Sequence, residues 1–290
     1  MPLAPVCLQP RDVQMLIDLH QYGCMLRGQL QALYFGSVQR TNKRLRQLFD
    51  SRYIDRLEVP LPSYLTMPAA CQSIYQLGYA GIPIVAAATG VDAADIRRQL
   101  RNGTASHLRH SLEIVSLRLG VEAAVRIHID VRLDAFLPER LCQHSYDYRE
   151  RADGVEGERW QRDVYKPDAV LLLAWSGGAA GYAVEIDLGH TSSGEFLTKS
   201  RIHARYANSG LFARRYGRQK VGTLCLTTSV KRRDNLRALL AEENNDRFLF
   251  STFAEVREGS VLGSVWRRAA EETPVSLLST SCSSETTERS

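Results

Sequence analysis

Two short apolar runs, a glycine-rich link between them and a helical pattern directly after them leave the stretch from Lys166 to Tyr206 few ways to fold. It reads KPDAVLLLAW, then SGGAAG, then YAVEIDLGHTSSGEFLTKSRIHARY. Val164 to Trp175 and Tyr182 to Leu188 have the length and composition of strands, and the loop with Ser176-Gly177-Gly178 and Gly181 makes them a hairpin. Side chains alternate faces along a strand, so Glu185 and Asp187 point one way while Val184 and Ile186 enter the core. Asp168, on or beside the preceding strand, shares that polar face where the register permits. Three acids brought together repel one another unless a cation sits between them. A hard divalent ion with oxygen ligands, Mg²⁺ or Mn²⁺, is the expected cofactor, with Asp168, Glu185 and Asp187 as its ligands.

Thr191, Ser192 or Ser193 can cap the helix that follows, which runs through Phe196, Leu197, Ile202 and Tyr206. Lys199, His203 and Tyr206 stand at helical spacings and share a face. From there Lys199 can reach the acids, polarise a phosphate and lower the pKa of an attacking water. Asp168, Glu185, Asp187 and Lys199 are therefore the candidate catalytic set. The logic is that of the PD-(D/E)xK nucleases, with one departure. Asp187 stands where the usual lysine would follow Glu185, and Lys199 replaces it from the helix. The plain alternative is a surface hairpin whose acids pair with nearby arginines. Tyr206 is a further candidate as a nucleophile, against the commoner role of a packed core tyrosine.

The net charge of +5 is mild, but its distribution is not. Between Phe196 and Arg233 there is no Asp or Glu, and the basic residues there include Arg214 and Arg215, interleaved with Tyr206, Phe212 and Tyr216. Basic groups follow a nucleic-acid backbone and aromatic faces stack on unpaired bases. Taken singly, these aromatics read as core and the arginines as solvated. The run as a whole points to nucleic acid, with double-stranded DNA the expected partner and single-stranded DNA a further candidate. The six cysteines are scattered without a CxxC pair, as in a cytoplasmic protein with reduced thiols. No apolar stretch is long enough to span a bilayer, no secretory signal pattern opens the chain and no GxxxxGK[ST] loop occurs, so neither a membrane partner nor an ATPase of that type is expected.

At 290 residues the chain can form two small domains, each with its own core. Residues 8–90 read as three helices and then two strands, Tyr53 to Val59 and Ser73 to Leu77, separated by a proline-containing loop: a winged helix-turn-helix. Ser37 caps the third helix, whose apolar positions Val38, Leu45, Leu48 and Phe49 share a face. That leaves Gln39, Arg40, Asn42, Lys43, Arg44 and Arg46 outward, where they can meet phosphates and base edges. A solvated helix face or a protein-docking module would look similar. Residues 91–103 form a linker helix. Residues 104–272 form the second domain, opening on a helix capped by Thr104 that Gly120 can interrupt. In it, Leu133 to Cys142 is extended and Arg149 to Arg162 is a polar loop; residues 273–290 are a Ser/Thr-rich disordered tail.

The order of parts resembles the replication-relaxation family of plasmids and integrative elements, and nearby the class-C mobilisation relaxases. The resemblance runs from about Gln9 to Leu240. It is carried by the winged-helix start, His107-xx-His110, Phe136-Leu137-Pro138-Glu139, Pro167-Asp168-Ala169, Glu185-Ile186-Asp187, and Lys199 followed by Tyr206. The family's Asp-Arg-Gly-Thr continuation appears as Asp187-Leu188-Gly189-His190-Thr191. The resemblance implies an α/β chain, with an α+β N-terminal part. Its winged helix-turn-helix would precede a restriction-endonuclease-like mixed-sheet domain that nicks or relaxes DNA for plasmid replication or mobilisation. Glu139 becomes a further candidate acid, and conjugation or replication proteins become candidate partners. The alternative is a non-catalytic DNA-binding replication accessory or transcriptional regulator built on an inactive nuclease fold.

Overall fold

Pro10 in the first turn, and the Asp12 carboxylate accepting the Gln9 backbone N–H at 2.7 Å, start helix α1 (Pro10–Tyr22); Gly23, at φ 84°, stops it. The computed structural model describes residues 6–57, 73–100, 105–151, 158–243 and 245–278. They divide into two compact units, Met1–Leu119 and Gly120–Ser290.

In the first unit α1 is followed by β1 (Met25–Leu26), α2 (Arg27–Tyr34), α3 (Val38–Asp50), β2 (Ile54–Leu57) and β3 (Ile74–Leu77). The three strands pair antiparallel in the order β1-β3-β2. A 3-10 turn at Tyr79–Gly81, then α4 (Ile82–Thr89) and α5 (Ala93–Leu100), lead to α6 (Ala105–Ile127). Met15, Leu16, Leu19, Leu30, Leu45, Leu48, Ile54 and Leu77 are sealed from solvent and form the core. Ser37 accepts the Arg40 N–H as the cap of α3. Val38 and Phe49 belong to the exposed side of that helix instead of its core face; Thr41 is buried with Leu45 and Leu48. The helix is amphipathic, and the apolar residues at its two ends are left open to solvent.

The second unit is built on a six-stranded sheet, ordered β11-β10-β9-β8-β7-β4. Its elements are β4 (Val131–Pro138), α7 (Glu139–Cys142), β5 (His144–Arg151), β6 (Glu158–Tyr165), β7 (Ala169–Trp175) and β8 (Gly178–Asp187). Then come α8 (Ser193–Asn208), α9 (Leu211–Tyr216), β9 (Lys220–Thr227), α10 (Val230–Glu242), β10 (Phe248–Thr252), α11 (Phe253–Gly259) and β11 (Arg267–Arg268). Strands β4, β7 and β8 pair antiparallel, while β8, β9 and β10 run parallel with α8–α9 and α10 as crossovers. On the helix-covered face, Val170, Leu172, Ala183 and Val221 pack with Tyr165, Tyr206 and Phe212. Beside them Cys225, Phe248 and Phe250 pack with Phe196, Leu236 and Leu240. Gly181 lets the buried Phe212 ring rest on bare strand backbone; a Cβ there would lie 2.5 Å from the ring.

The structure revises several local expectations. The hairpin turn is only Ser176-Gly177, because Gly178 to Gly181 continue β8, and Val164 belongs to β6. The extended run ends at Pro138, after which Glu139–Cys142 coil into α7. Arg149–Arg151 and Glu158–Arg162 lie in paired strands β5 and β6, not in a loop. Their inner face is aromatic (Tyr146, Tyr148, Tyr165), but charged residues on the other face dilute it in the sequence. Helix α6 runs unbroken through Gly120. Residues 273–278 are ordered rather than tail-like: Val275 bridges Trp266, Tyr182 donates to the Leu277 carbonyl at 2.8 Å, and Leu277 is buried. The end of the expected strand at 58–59, the expected proline-containing loop after it, residues 101–103 of the expected linker helix, Thr104, residues 152–157 and residues 279–290 lie outside the described residues.

Candidate functional site

The carboxylates meet because of strand register. Ala169 pairs with Val184, so the antiparallel register carried one residue further sets Asp168 opposite Glu185. The Asp168 backbone N–H donates to the Val184 carbonyl at 2.9 Å, and its Oδ2 accepts the Ile186 N–H at 2.7 Å. Glu185 and Asp187 alternate with Val184 and Ile186 as strand geometry requires, and parallel pairing sets Cys225 and Thr227 beside them. All three acids are buried.

Helix α8 supplies the counter-charge. Ser192 is its cap, accepting the Glu195 N–H, while the Glu195 carboxylate accepts the Ser192 N–H at 2.9 Å. That start places Lys199 and His203 one turn apart, facing the sheet. Lys199 Nζ contacts Glu185 Oε2 and lies 3.7 Å from Asp168 Oδ1. Burial alone would push the lysine pKa down, but the nearby charges of Glu185 and Asp168 outweigh it and hold the pKa above its ordinary value. The lysine thus stays cationic, with 40 % of its side chain open to solvent. His203 Nε2 lies 2.7 Å from Glu185 Oε1.

Asp187 has other company. Arg232, from the first turn of α10, donates through Nε to Oδ2 at 2.7 Å and through Nη2 to Oδ1 at 3.0 Å. Thr227 donates to Oδ2 at 2.9 Å, and Arg232 also reaches the Thr191 carbonyl at 2.6 Å. This fork-to-fork pair is the strong form of an ion pair. It binds the end of β8, the loop before α8 and the start of α10 together. Asp168, Glu185 and Lys199 are therefore brought together, and Asp187 on the same face is engaged separately. Among the described residues no three His, Cys, Asp or Glu side chains are gathered as a metal-ligand cluster. Asp168 and Glu185 do present carboxylate oxygens to a shared cation position, now taken by the lysine ammonium. That donor set suits a hard divalent ion, whereas Asp187 is committed to Arg232.

Glu139 opens α7 directly after Pro138, whose strand partner is Ala169, so it stands at the same end of the sheet as Asp168; its carboxylate is paired with Lys166 at 3.2 Å. Tyr206 is 1 % exposed and stacked on Tyr165 at 3.8 Å, with burial pushing its hydroxyl up to about 12, so it is a core residue. Arg214 and Arg215 are exposed on α9. On α3, Gln39, Arg40 and Lys43 are exposed, but three of the other candidates are engaged within the protein. Arg44 is turned onto the fully buried Asp12 at 2.5 and 3.1 Å, Arg46 pairs with Asp50 at 2.8 Å, and Asn42 accepts from Arg27 at 3.3 Å.

Sequence reasoning assigned no role to Arg232, Thr227, Cys225 or the bond between His203 and Glu185. The spacing of His203 from Lys199 was a usable signal for the last. Arg232 carried none, because α10 reaches Asp187 only through the parallel crossover.

Among the described residues no helix is long and apolar enough to cross a membrane. Comparison with curated proteins and with solved structures finds no match. The replication-relaxation family model matches residues 16–221, most of the chain, and the protein belongs to that family.

Proposed function

We propose that the protein binds DNA of a mobile genetic element and cleaves its phosphodiester backbone with a divalent metal, in plasmid replication or mobilisation. The observation that carries this reading is the convergence of Asp168, Glu185 and Lys199 at one sheet end. Family membership supports the replication setting. The succession α6-β4-β7-β8-α8-β9 supports a restriction-endonuclease-like domain, and α1-β1-α2-α3-β2-β3 with its three-stranded sheet supports a winged helix-turn-helix. Exposed Gln39, Arg40 and Lys43 on α3 would engage duplex DNA, and exposed Arg214 and Arg215 on α9 would follow the backbone.

Asp168 and Glu185 would hold Mg²⁺ or Mn²⁺, which when bound supplies Lewis-acid stabilisation of phosphate charge. Lys199, freed from the carboxylates, donates to a phosphate oxygen and stabilises the charge that builds on it. Asp187 and Arg232 keep the strand end and the α8 loop in register. The test is conversion of supercoiled plasmid carrying the DNA flanking this protein's own gene to open-circular form, with Mn²⁺ or Mg²⁺ and an EDTA control. Wild type should nick, and Glu185→Ala and Lys199→Ala should lose about 10²-fold or more of the rate. Metal-independent nicking, or equal rates in the variants, refutes the assignment.

The engagement of Asp187 by Arg232 favours a second reading: a DNA-binding replication accessory in which the nuclease-like domain is a scaffold. Tight, salt-sensitive binding without nicking would select it.

A further inference from the structure

Glu185 is gripped at both oxygens from one helix. Lys199 takes Oε2 and His203, four residues on, takes Oε1 through Nε2 at 2.7 Å. The two grips differ in kind. Lys199 is a flexible, partly exposed side chain that can leave for a substrate. His203 is 4 % exposed and its ring is fenced edge-on by Tyr165 at 5.2 Å and Phe248 at 6.1 Å, so its plane is fixed. His203 Nδ1 is buried without a hydrogen-bond partner, and among the described residues the bond to Glu185 is the ring's one hydrogen bond.

That orphan nitrogen decides what the residue is for. A buried polar atom left unpaired costs stability, and a leucine or phenylalanine would fill an aromatic-lined slot without that cost. Packing therefore gives no reason for a histidine here; the Glu185 carboxylate does. We infer that His203 is a positioning residue, whose Nε2–H holds Glu185 Oε1 and leaves Oε2 aimed at the cation position shared with Asp168. The consequence for an ion rests on the metal-site reading above, while the hydrogen bond itself does not. A carboxylate oriented by a rigid outer partner binds a metal more tightly than one left to rotate, commonly by about 10- to 100-fold.

Two measurements on the full chain test this. In the metal-free protein, imidazole ¹H–¹⁵N correlation spectra should show a protected Nε2–H proton on His203 whose shift changes in Glu185→Ala. An Nε2 without a proton, or a resonance indifferent to Glu185, overturns the inference. Mn²⁺ affinity, titrated calorimetrically, should fall about 10- to 100-fold in His203→Leu and return to within about threefold of wild type in His203→Gln. The Gln variant keeps an N–H donor, and both variants should melt within a few degrees of wild type. Equal Mn²⁺ affinity in wild type and His203→Leu overturns the inference while leaving the metal site standing. Wild type that binds no Mn²⁺ overturns the metal-site reading, and with it the metal-orienting part of this role; the imidazole spectra then decide the hydrogen bond alone.

Discussion

Glu255 offers the sharpest test of how the region around the site is held. Its carboxylate contacts Arg233 Nη1, accepts from Arg267 Nη1 at 2.8 Å, and caps α11 by accepting the Thr252 N–H at 2.9 Å and hydroxyl at 3.0 Å. Arg233 is the residue after Arg232, so the same turn of α10 is anchored by Glu255 and by Asp187. Burial alone would raise the Glu255 pKa, but Arg233 and the Thr252 cap overcome it and pull the carboxyl from 4.5 down to about 2. That gap corresponds to about 3 kcal/mol, and screening of a side chain that is 25 % exposed reduces it to about 2 kcal/mol. The folded pKa lies below the unfolded one. The stabilisation is therefore complete above about pH 4.5 and disappears as pH falls towards 2. Glu255→Gln mimics the protonated form, so its cost should be about 2 kcal/mol at pH 7 and roughly half of that at pH 3. All three tryptophans, Trp160, Trp175 and Trp266, lie in the second unit, so urea unfolding followed by their fluorescence reports that unit alone. A cost equal at both pH values, or under about 0.5 kcal/mol at pH 7, would refute the reasoning.

Three further substitutions separate structure from function. Arg44→Ala leaves Asp12 buried without its cation and should destabilise the first unit by about 3 kcal/mol, read as a lower midpoint in far-ultraviolet circular dichroism. Lys43→Ala, exposed on the same helix, should leave the midpoint within about 0.5 kcal/mol of wild type and reduce the salt dependence of duplex binding by about one counterion. Gly181→Ala forces the Phe212 ring from its place and should cost about 1–3 kcal/mol in the tryptophan-monitored unfolding of the second unit.

What could be read in the sequence was whatever local periodicity controls. The two-residue alternation of β8 placed Glu185 and Asp187 on one face, and the serine cap with Glu195 set α8 so that Lys199 faces the sheet. Register was not readable, yet it decides that Asp168 stands opposite Glu185. Nor was the β5–β6 pair, because its buried tyrosines alternate with charged residues and the run averages out as polar. Arg232 illustrates the general limit. Its partner lies 45 residues earlier, and only the parallel pairing of β8 with β9 brings the two together. On α3 the sequence could not tell an arginine that faces solvent from one that folds back onto a buried acid, which is the difference between Arg40 and Arg44.

The three acids at the sheet end share two counter-ions from two helices, Lys199 from α8 for Glu185 and Asp168, Arg232 from α10 for Asp187. Two cations face three buried carboxylates, so the fold's own side chains offset most, though not all, of the repulsion among the acids. Lys199 is therefore a structural cation as well: replacing it leaves two buried carboxylates without their partner, as replacing Arg44 does for Asp12, and takes stability from the second unit.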